Sequence, residues 1–190
     1  MGKIVGAILN DWRLAGVLTA GSGEAYDLTY SYQNNGGNVN LTGSPDFGPR
    51  IVFVGDPGSG CSSNQYNQFN VSAVTGPTYN STQMESGRNV MRGCADHRVD
   101  MSISRDIRLG GNRRFEFRLD VYNLFDTVIY TGRQNQIQYV SPTDLTIRNP
   151  QTLADGSNDP ARLVPRNAGF GAATNAMALR SMQLQFRFAF

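Results

Sequence analysis

Apolar and polar side chains alternate with a period of two in several separate segments, and the clearest is the last. In Ser181–Phe190, Met182, Leu184, Phe186, Phe188 and Phe190 fall on one parity, and Ser181, Gln183, Gln185, Arg187 and Ala189 on the other. A strand sends successive side chains to opposite faces, so the segment predicts a strand with one apolar face and one polar or small face. With Leu179 and Arg180 it is about as long as the 9–11 residues a tilted strand needs to cross a bilayer. It stops on an aromatic. A soluble domain rarely leaves a terminal Phe in water, whereas a lipid-facing strand with an aromatic at the interface accommodates one.

The same period recurs upstream. Residues 3–9 alternate weakly and predict a strand, and Asn10-Asp11 predicts a two-residue hairpin turn because both residues tolerate positive φ. Trp12, Leu14, Gly16, Leu18 and Ala20 then alternate with Arg13, Ala15, Val17 and Thr19. Gly21-Ser22-Gly23 breaks the run. Tyr26, Leu28, Tyr30 and Tyr32 share a parity and predict a continuation of that strand. Val99, Met101 and Ile103 alternate with Asp100, Ser102 and Ser104, and Ile107 and Leu109 resume the apolar parity after Arg105. Gly110-Gly111-Asn112 predicts a tight turn. In the next segment Phe115, Phe117, Leu119 and Val121 oppose Arg114, Glu116, Arg118 and Asp120, whose charges alternate in sign. Such a row is too charged for a core. It either lines a watery lumen or forms the wet face of an antiparallel sheet.

Between these segments lie two long polar stretches, about 21–97 and 126–178. The first is dense in turn signals, with only Ile51–Val54 reading as a short strand. In the second, Ser141-Pro142, Asn149-Pro150, Asp159-Pro160 and Val164-Pro165 argue against central strands. Short turns at 10–11 and 110–112 therefore alternate with long connections. Outer-membrane barrels show that asymmetry, with short periplasmic turns and long external loops. The predicted fold is all-β: an antiparallel up-and-down meander forming part of a transmembrane β-barrel, with two long external loops.

Composition agrees with an all-β chain. Charged residues are 17% and aromatics 10% of the 190 residues, with 21 Gly. The net charge of +2 gives no field strong enough to suggest nucleic acid as a partner. Glu116 and Asp120 on the Arg114/Arg118 face argue against RNA as well. No run of 18 apolar residues predicts a membrane-spanning helix. Mean hydropathy is negative, which barrel strands allow because half their residues face a polar lumen. The segment Met1–Leu9 lacks a small-residue cleavage site, so no signal peptide is predicted.

Candidate chemistry is sparse. Gly55–Ser62 lacks the Lys of a phosphate loop and no helical pattern follows it. Cys94, Asp96 and His97 fall short of the four ligands of structural zinc. Asp155, Asn158 and Asp159 lack calcium-loop spacing. The sequons at Asn40, Asn70 and Asn80 are too common a pattern to carry weight. His97 is the sole His, and no Gly-x-Ser-x-Gly elbow exists, so neither an enzyme nor a cofactor is predicted. Cys61 and Cys94 are either a disulfide tying one long loop, in an oxidising compartment, or two unrelated thiols.

Several of these segments resemble the TonB-dependent outer-membrane receptors, in the Oar-like branch that carries a carboxypeptidase-regulatory-like domain. Asn10–Val17 followed by Gly21-Ser22-Gly23 resembles a barrel strand and its exit, and Arg98–Asp106 the strand before the penultimate one. Phe115–Asp126 is similar to the family's penultimate strand, Arg-x-Glu-x-[Phe/Tyr]-Asn-[Leu/Ala]-Phe-[Asn/Asp], with Asp120 where Glu is commoner. Phe170-Gly171 and the terminal strand complete the likeness. The resemblance implies energy-coupled uptake across the outer membrane of a Gram-negative cell. It implies a barrel of about 22 strands around a plug. With about five clear strands and no plug, residues 1–190 are expected to be the C-terminal segment of such a barrel. Further implications are a lumen-facing row at Arg114, Glu116, Arg118 and Asp120, and an assembly signal at Phe186, Phe188 and Phe190. The implied partners are outer-membrane lipid, the barrel assembly machinery, and the TonB complex through the plug of the parent. The alternative is a secreted β-sandwich serving adhesion or structure, which would bury the apolar faces against a second sheet.

Overall fold

The structure, a computed structural model, describes residues 10–32, 51–77 and 90–190. The strand expected at 3–9 and the turn signals at 34–37 lie outside the described residues. The strands are β1 (Trp12–Gly21), β2 (Ala25–Tyr26), β3 (Thr29–Tyr32), β4 (Val52–Phe53), β5 (Val74–Thr75), β6 (Met91–Arg92), β7 (Asp96–Gly110), β8 (Arg113–Tyr122), β9 (Tyr130–Arg133), β10 (Gln136–Ser141), β11 (Asp144–Ile147), β12 (Ala173–Ala176) and β13 (Ser181–Ala189). They fall into two units. One draws on Met1–Gly21, Asp96–Val128 and Ala178–Phe190, the other on Ser22–Ala95 and Ile129–Met177.

The first unit is a four-stranded antiparallel sheet in the order β1-β7-β8-β13. Asp11 takes φ 69°, and Gly110 and Gly111 take φ 95° and 62°. Two successive positive-φ residues suit a tight hairpin turn whose twist matches that of β7 and β8. Pairing aligns the alternations of all four strands. Leu14 lies opposite Ile103, Ile103 opposite Leu119, and Leu119 opposite Leu184. A slip of one residue would turn a whole strand over, so the common parity fixes the register. Arg105 interrupts the pattern, because it shares the apolar face with Trp12 and Phe117. Its guanidinium lies 5.2 Å from the Trp12 ring centroid, a cation–π contact that offsets part of its desolvation.

The second unit changes the expectation of two polar loops. Both stretches contribute to a buried core of Leu28, Tyr30, Tyr32, Ile51, Phe69, Val74, Met91, Ile137, Tyr139 and Phe170. Each such side chain withdrawn from water contributes about 1.5–3 kcal/mol before chain entropy is counted. The prolines exclude strands only at their own positions. Between them β10 is the central strand of a sheet ordered β11-β10-β3. It pairs in parallel with β3, Ile137 opposite Tyr30 and Tyr139 opposite Tyr32, so the fold is mostly rather than wholly antiparallel. The continuation predicted from Tyr26 to Tyr32 breaks at Asp27-Leu28 into β2 and β3. The buried phenols are satisfied: Tyr32 donates to the Pro77 carbonyl at 2.7 Å, and the Gly76 N–H donates to the Tyr139 hydroxyl at 2.8 Å. Gly76 is required there, since a Cβ would lie 2.6 Å from the Tyr139 ring.

Candidate functional site

The sheet of the first unit has two chemically opposite faces. One carries Trp12, Leu14, Leu18, Val99, Met101, Ile103, Ile107 and the Phe- and Leu-bearing parities of β8 and β13. This face is uncovered: Leu14 is 70% exposed, Leu18 72% and Phe186 60%. The exposed apolar side chains lie on β1, the Ile107–Leu109 end of β7 and β13, with Phe115, Phe117 and Leu119 of β8 half-buried among them and Val121 buried, and an apolar patch of this kind marks an interaction surface. Phe115, Phe117 and Phe186 pack together on it, with ring centroids 5.8–5.9 Å apart across β8 and β13. Phe190 lies one residue beyond β13, 6.0 Å from the Phe188 ring.

The other face is a lattice of charge. Asp106 lies opposite Glu116, and Glu116 opposite Arg187. Arg13 closes on Asp106 at 2.8 Å. This row of two acids between two arginines offsets the repulsion of like charges paired across strands. Arg118 and Asp120 pair within β8 at 3.0 Å, with Ser104 and Ser102 beside them on β7. The four charges singled out from the sequence thus sit on one face. In water such pairs contribute little to stability; their weight is in making that face hospitable to water.

Sequence reading passed over the clasp at the end of β8. Asn123 is buried and takes φ 54°, which ends the strand. Its amide side chain donates to the Thr127 carbonyl and accepts from the Thr127 N–H, both at 3.0 Å. Its own N–H donates to Asp100 Oδ1 at 2.8 Å, and the Leu124 N–H donates to the Val99 carbonyl. Asp126 accepts the Arg180 N–H at 3.1 Å and lies 3.8 Å from its guanidinium. The Asn123–Asp126 part of the penultimate-strand motif therefore ties β7, β8 and the entry to β13 together. The available signal was an Asn at a strand end, a residue suited to positive φ that bonds nearby backbone.

In the second unit Cys61 and Cys94 form a disulfide, with Cα atoms 4.8 Å apart. Arg133 lies beside it, Nη2 3.8 Å from Cys94 Sγ and 2.9 Å from the Tyr130 carbonyl, which accepts a hydrogen bond. The guanidinium also lies 5.1 Å from the Tyr26 ring centroid. Tyr26 donates to the Gly60 carbonyl at 2.9 Å, and burial raises its pKa to about 12 against the opposing influence of Arg133. A cavity of about 200 Å³ opens here, lined by Glu24, Ala25, Tyr26, Thr131, Arg133 and Asn135. Nothing in the spacing of these residues announced it, because β2 and β9 are over a hundred residues apart.

The remaining candidates resolve into local structure. Gly55–Ser62 is a turn in which the Gly58 N–H donates to Asp56, and Gly58 and Gly60 have positive φ. Asp155 accepts from the Ser157 N–H and hydroxyl, which holds its carboxyl below the usual range. Asp159 caps the short turn Pro160–Arg162. Cys94 is spent in the disulfide, so it offers no thiolate to a metal beside Asp96 and His97. Asn70 caps the turn Val71–Ala73; Asn40 and Asn80 lie outside the described residues.

A protein-family profile described as "outer membrane beta barrel domain" matches residues 2–183. No curated protein and no solved structure matches the chain.

Proposed function

The chain belongs to the outer-membrane β-barrel domain family, and from that premise we propose that it supplies the C-terminal strands of a TonB-dependent receptor of the Oar-like branch. Family membership makes this an outer-membrane barrel protein rather than an enzyme. The finer reading is energy-coupled uptake of a substrate through the barrel of the parent. It rests on the resemblance of Phe115–Asp126 and the terminal strand to that branch.

The observation that carries the reading is the two-faced sheet. Its apolar face is exposed on β1, at Ile107 and Leu109 of β7 and on β13, and half-buried over most of β8, while its other face bears Arg13, Asp106, Glu116, Arg118, Asp120 and Arg187. Lipid on the first face and lumenal water on the second satisfy both at once. The β-sandwich alternative needs a second sheet over the apolar face, and among the described residues none covers Leu14, which is 70% exposed. In this reading the turn at Gly110-Gly111 faces the periplasm. Phe186, Phe188 and Phe190 form the signal read by the barrel assembly machinery. The TonB complex acts through the plug of the parent.

The test is fractionation with a functional arm. The parent should enter the outer-membrane fraction, need detergent for extraction and migrate faster when unheated. Its uptake activity should vanish in cells lacking TonB. Deleting Phe190 should lower insertion. Uptake that persists without TonB overturns the receptor reading while leaving the barrel family intact.

A further inference from the structure

An acid and a base line the cavity at β2 and β9, and they do not meet. Glu24 and Arg133 both face this space, yet no ion pair joins them among the described residues. The cause lies in how Arg133 is held. Its Nη2 is taken by the Tyr130 carbonyl, its plane lies against Tyr26, and Cys94 Sγ stands beside it. Gly93 packs closely against it, and a Cβ there would come 3.0 Å from Nη1. The Tyr130 carbonyl, Tyr26, Gly93 and the disulfide thus hold the cation, while Glu24 stays exposed on the rim. Asn135 is fixed too, donating to the Asp27 carbonyl at 2.8 Å. A preorganised guanidinium binds a carboxylate with little further loss of entropy.

We infer that this cavity binds the zwitterionic head of a small α-amino acid, its carboxylate toward Arg133 and its ammonium toward Glu24. A dianion such as phosphate would suit Arg133 but would face Glu24 as a like charge. A simple cation would meet Arg133 in the same way. A ligand carrying both signs matches a lining that carries both an acid and a cation. Size agrees: about 200 Å³ falls below the roughly 300–1,000 Å³ of pockets for drug-sized ligands, and suits one residue. As a contact made during uptake, the assignment rests on the receptor reading; as a binding site, it does not.

The test uses the full chain folded in detergent and titrated with L-alanine, N-acetyl-alanine and alanine amide. L-alanine should bind with a dissociation constant near the millimolar range. Each blocked form should bind roughly tenfold more weakly, the loss expected for one charge-assisted hydrogen bond. Glu24→Gln, on an exposed residue, should cut L-alanine affinity to that of N-acetyl-alanine and leave N-acetyl-alanine binding unchanged. Arg133→Gln should abolish the preference for a free carboxylate; the Glu24→Gln result stands by itself if that variant misfolds. Absence of saturable alanine binding, equal affinity for the three probes, or an unaltered preference in Glu24→Gln overturns the inference. A protein that inserts into the outer membrane yet ignores alanine loses the pocket and keeps the barrel. One that binds alanine but never inserts loses the barrel alone.

Discussion

Adjacent residues on β13 should respond oppositely to the same substitution. Leu184 lies on the apolar face opposite Leu119, and Gln183 on the charged face opposite Asp120. Leu184→Arg places a guanidinium where lipid is expected, at a cost of about 2–4 kcal/mol near the middle of a bilayer. If the face instead met water, the cost would be small. Leu184 is 53% exposed, and full burial of a Leu contributes about 1.5–3 kcal/mol, so about 1 kcal/mol is all an aqueous sheet stands to lose. Gln183→Arg adds a cross-strand pair with Asp120 and should be neutral or stabilising by less than about 1 kcal/mol. The assay is urea unfolding of the protein in phospholipid vesicles, followed by Trp12, the single Trp, which sits in the same sheet. With a slope of about 1–3 kcal/mol per molar, Leu184→Arg should lower the midpoint by roughly 1 M or more while Gln183→Arg leaves it in place. Equal midpoints for the two variants would refute the assignment of lipid and lumen to these faces.

Asn123→Ala removes both bonds to Thr127 and forces Ala into positive φ; at about 1 kcal/mol for each bond and 1–2 for the backbone, the sheet should lose about 3 kcal/mol in the same unfolding assay. Replacing Cys61 and Cys94 together by Ser opens a loop of sequence separation 33 and should cost the second unit about 3–4 kcal/mol, read as faster proteolysis of the folded protein at unchanged sheet stability. For Tyr26 the folded state holds the neutral phenol, with the pKa raised to about 12 from 10.0. Its contribution is therefore complete below pH 10 and is lost as pH rises from there toward 12. Near-ultraviolet phenolate absorbance should show a late titration to which the buried Tyr32 and Tyr139 also contribute, and Tyr26→Phe should remove one tyrosine's amplitude from it; an unchanged titration would contradict the burial.

Much of the first unit was legible because a strand writes its two faces into adjacent residues. Trp12–Gly21, Asp96–Gly110, Arg113–Tyr122 and Ser181–Ala189 needed only a period of two to be found, and Gly110-Gly111 announced its own turn. The aligned faces then followed, since only one parity of pairing keeps Leu14, Ile103, Leu119 and Leu184 together. Arg105 shows the limit. Periodicity flagged it as an exception, but only the pairing with Trp12 explains how a cation is tolerated there.

In the second unit only Ile51–Val54 and the Tyr26–Tyr32 parity were legible, as β4 and as β2 and β3, and the reason the rest was not is distance along the chain. Its core gathers single apolar residues from segments that look polar by themselves: Tyr32 and Tyr139, Phe69 and Phe170. Alternation along β3 and β10 shows two short strands but not that they pair in parallel, and Arg133 becomes a site only when Tyr26 and Cys94 arrive beside it. The sequence by itself determined which residues form the sheet and which way each faces, because those facts are set by neighbours two positions apart. Tertiary structure alone decided that the long connections fold, that the two cysteines join, and that Glu24 and Arg133 share one cavity. Each of those depends on groups that the chain separates by tens of residues and only packing brings together.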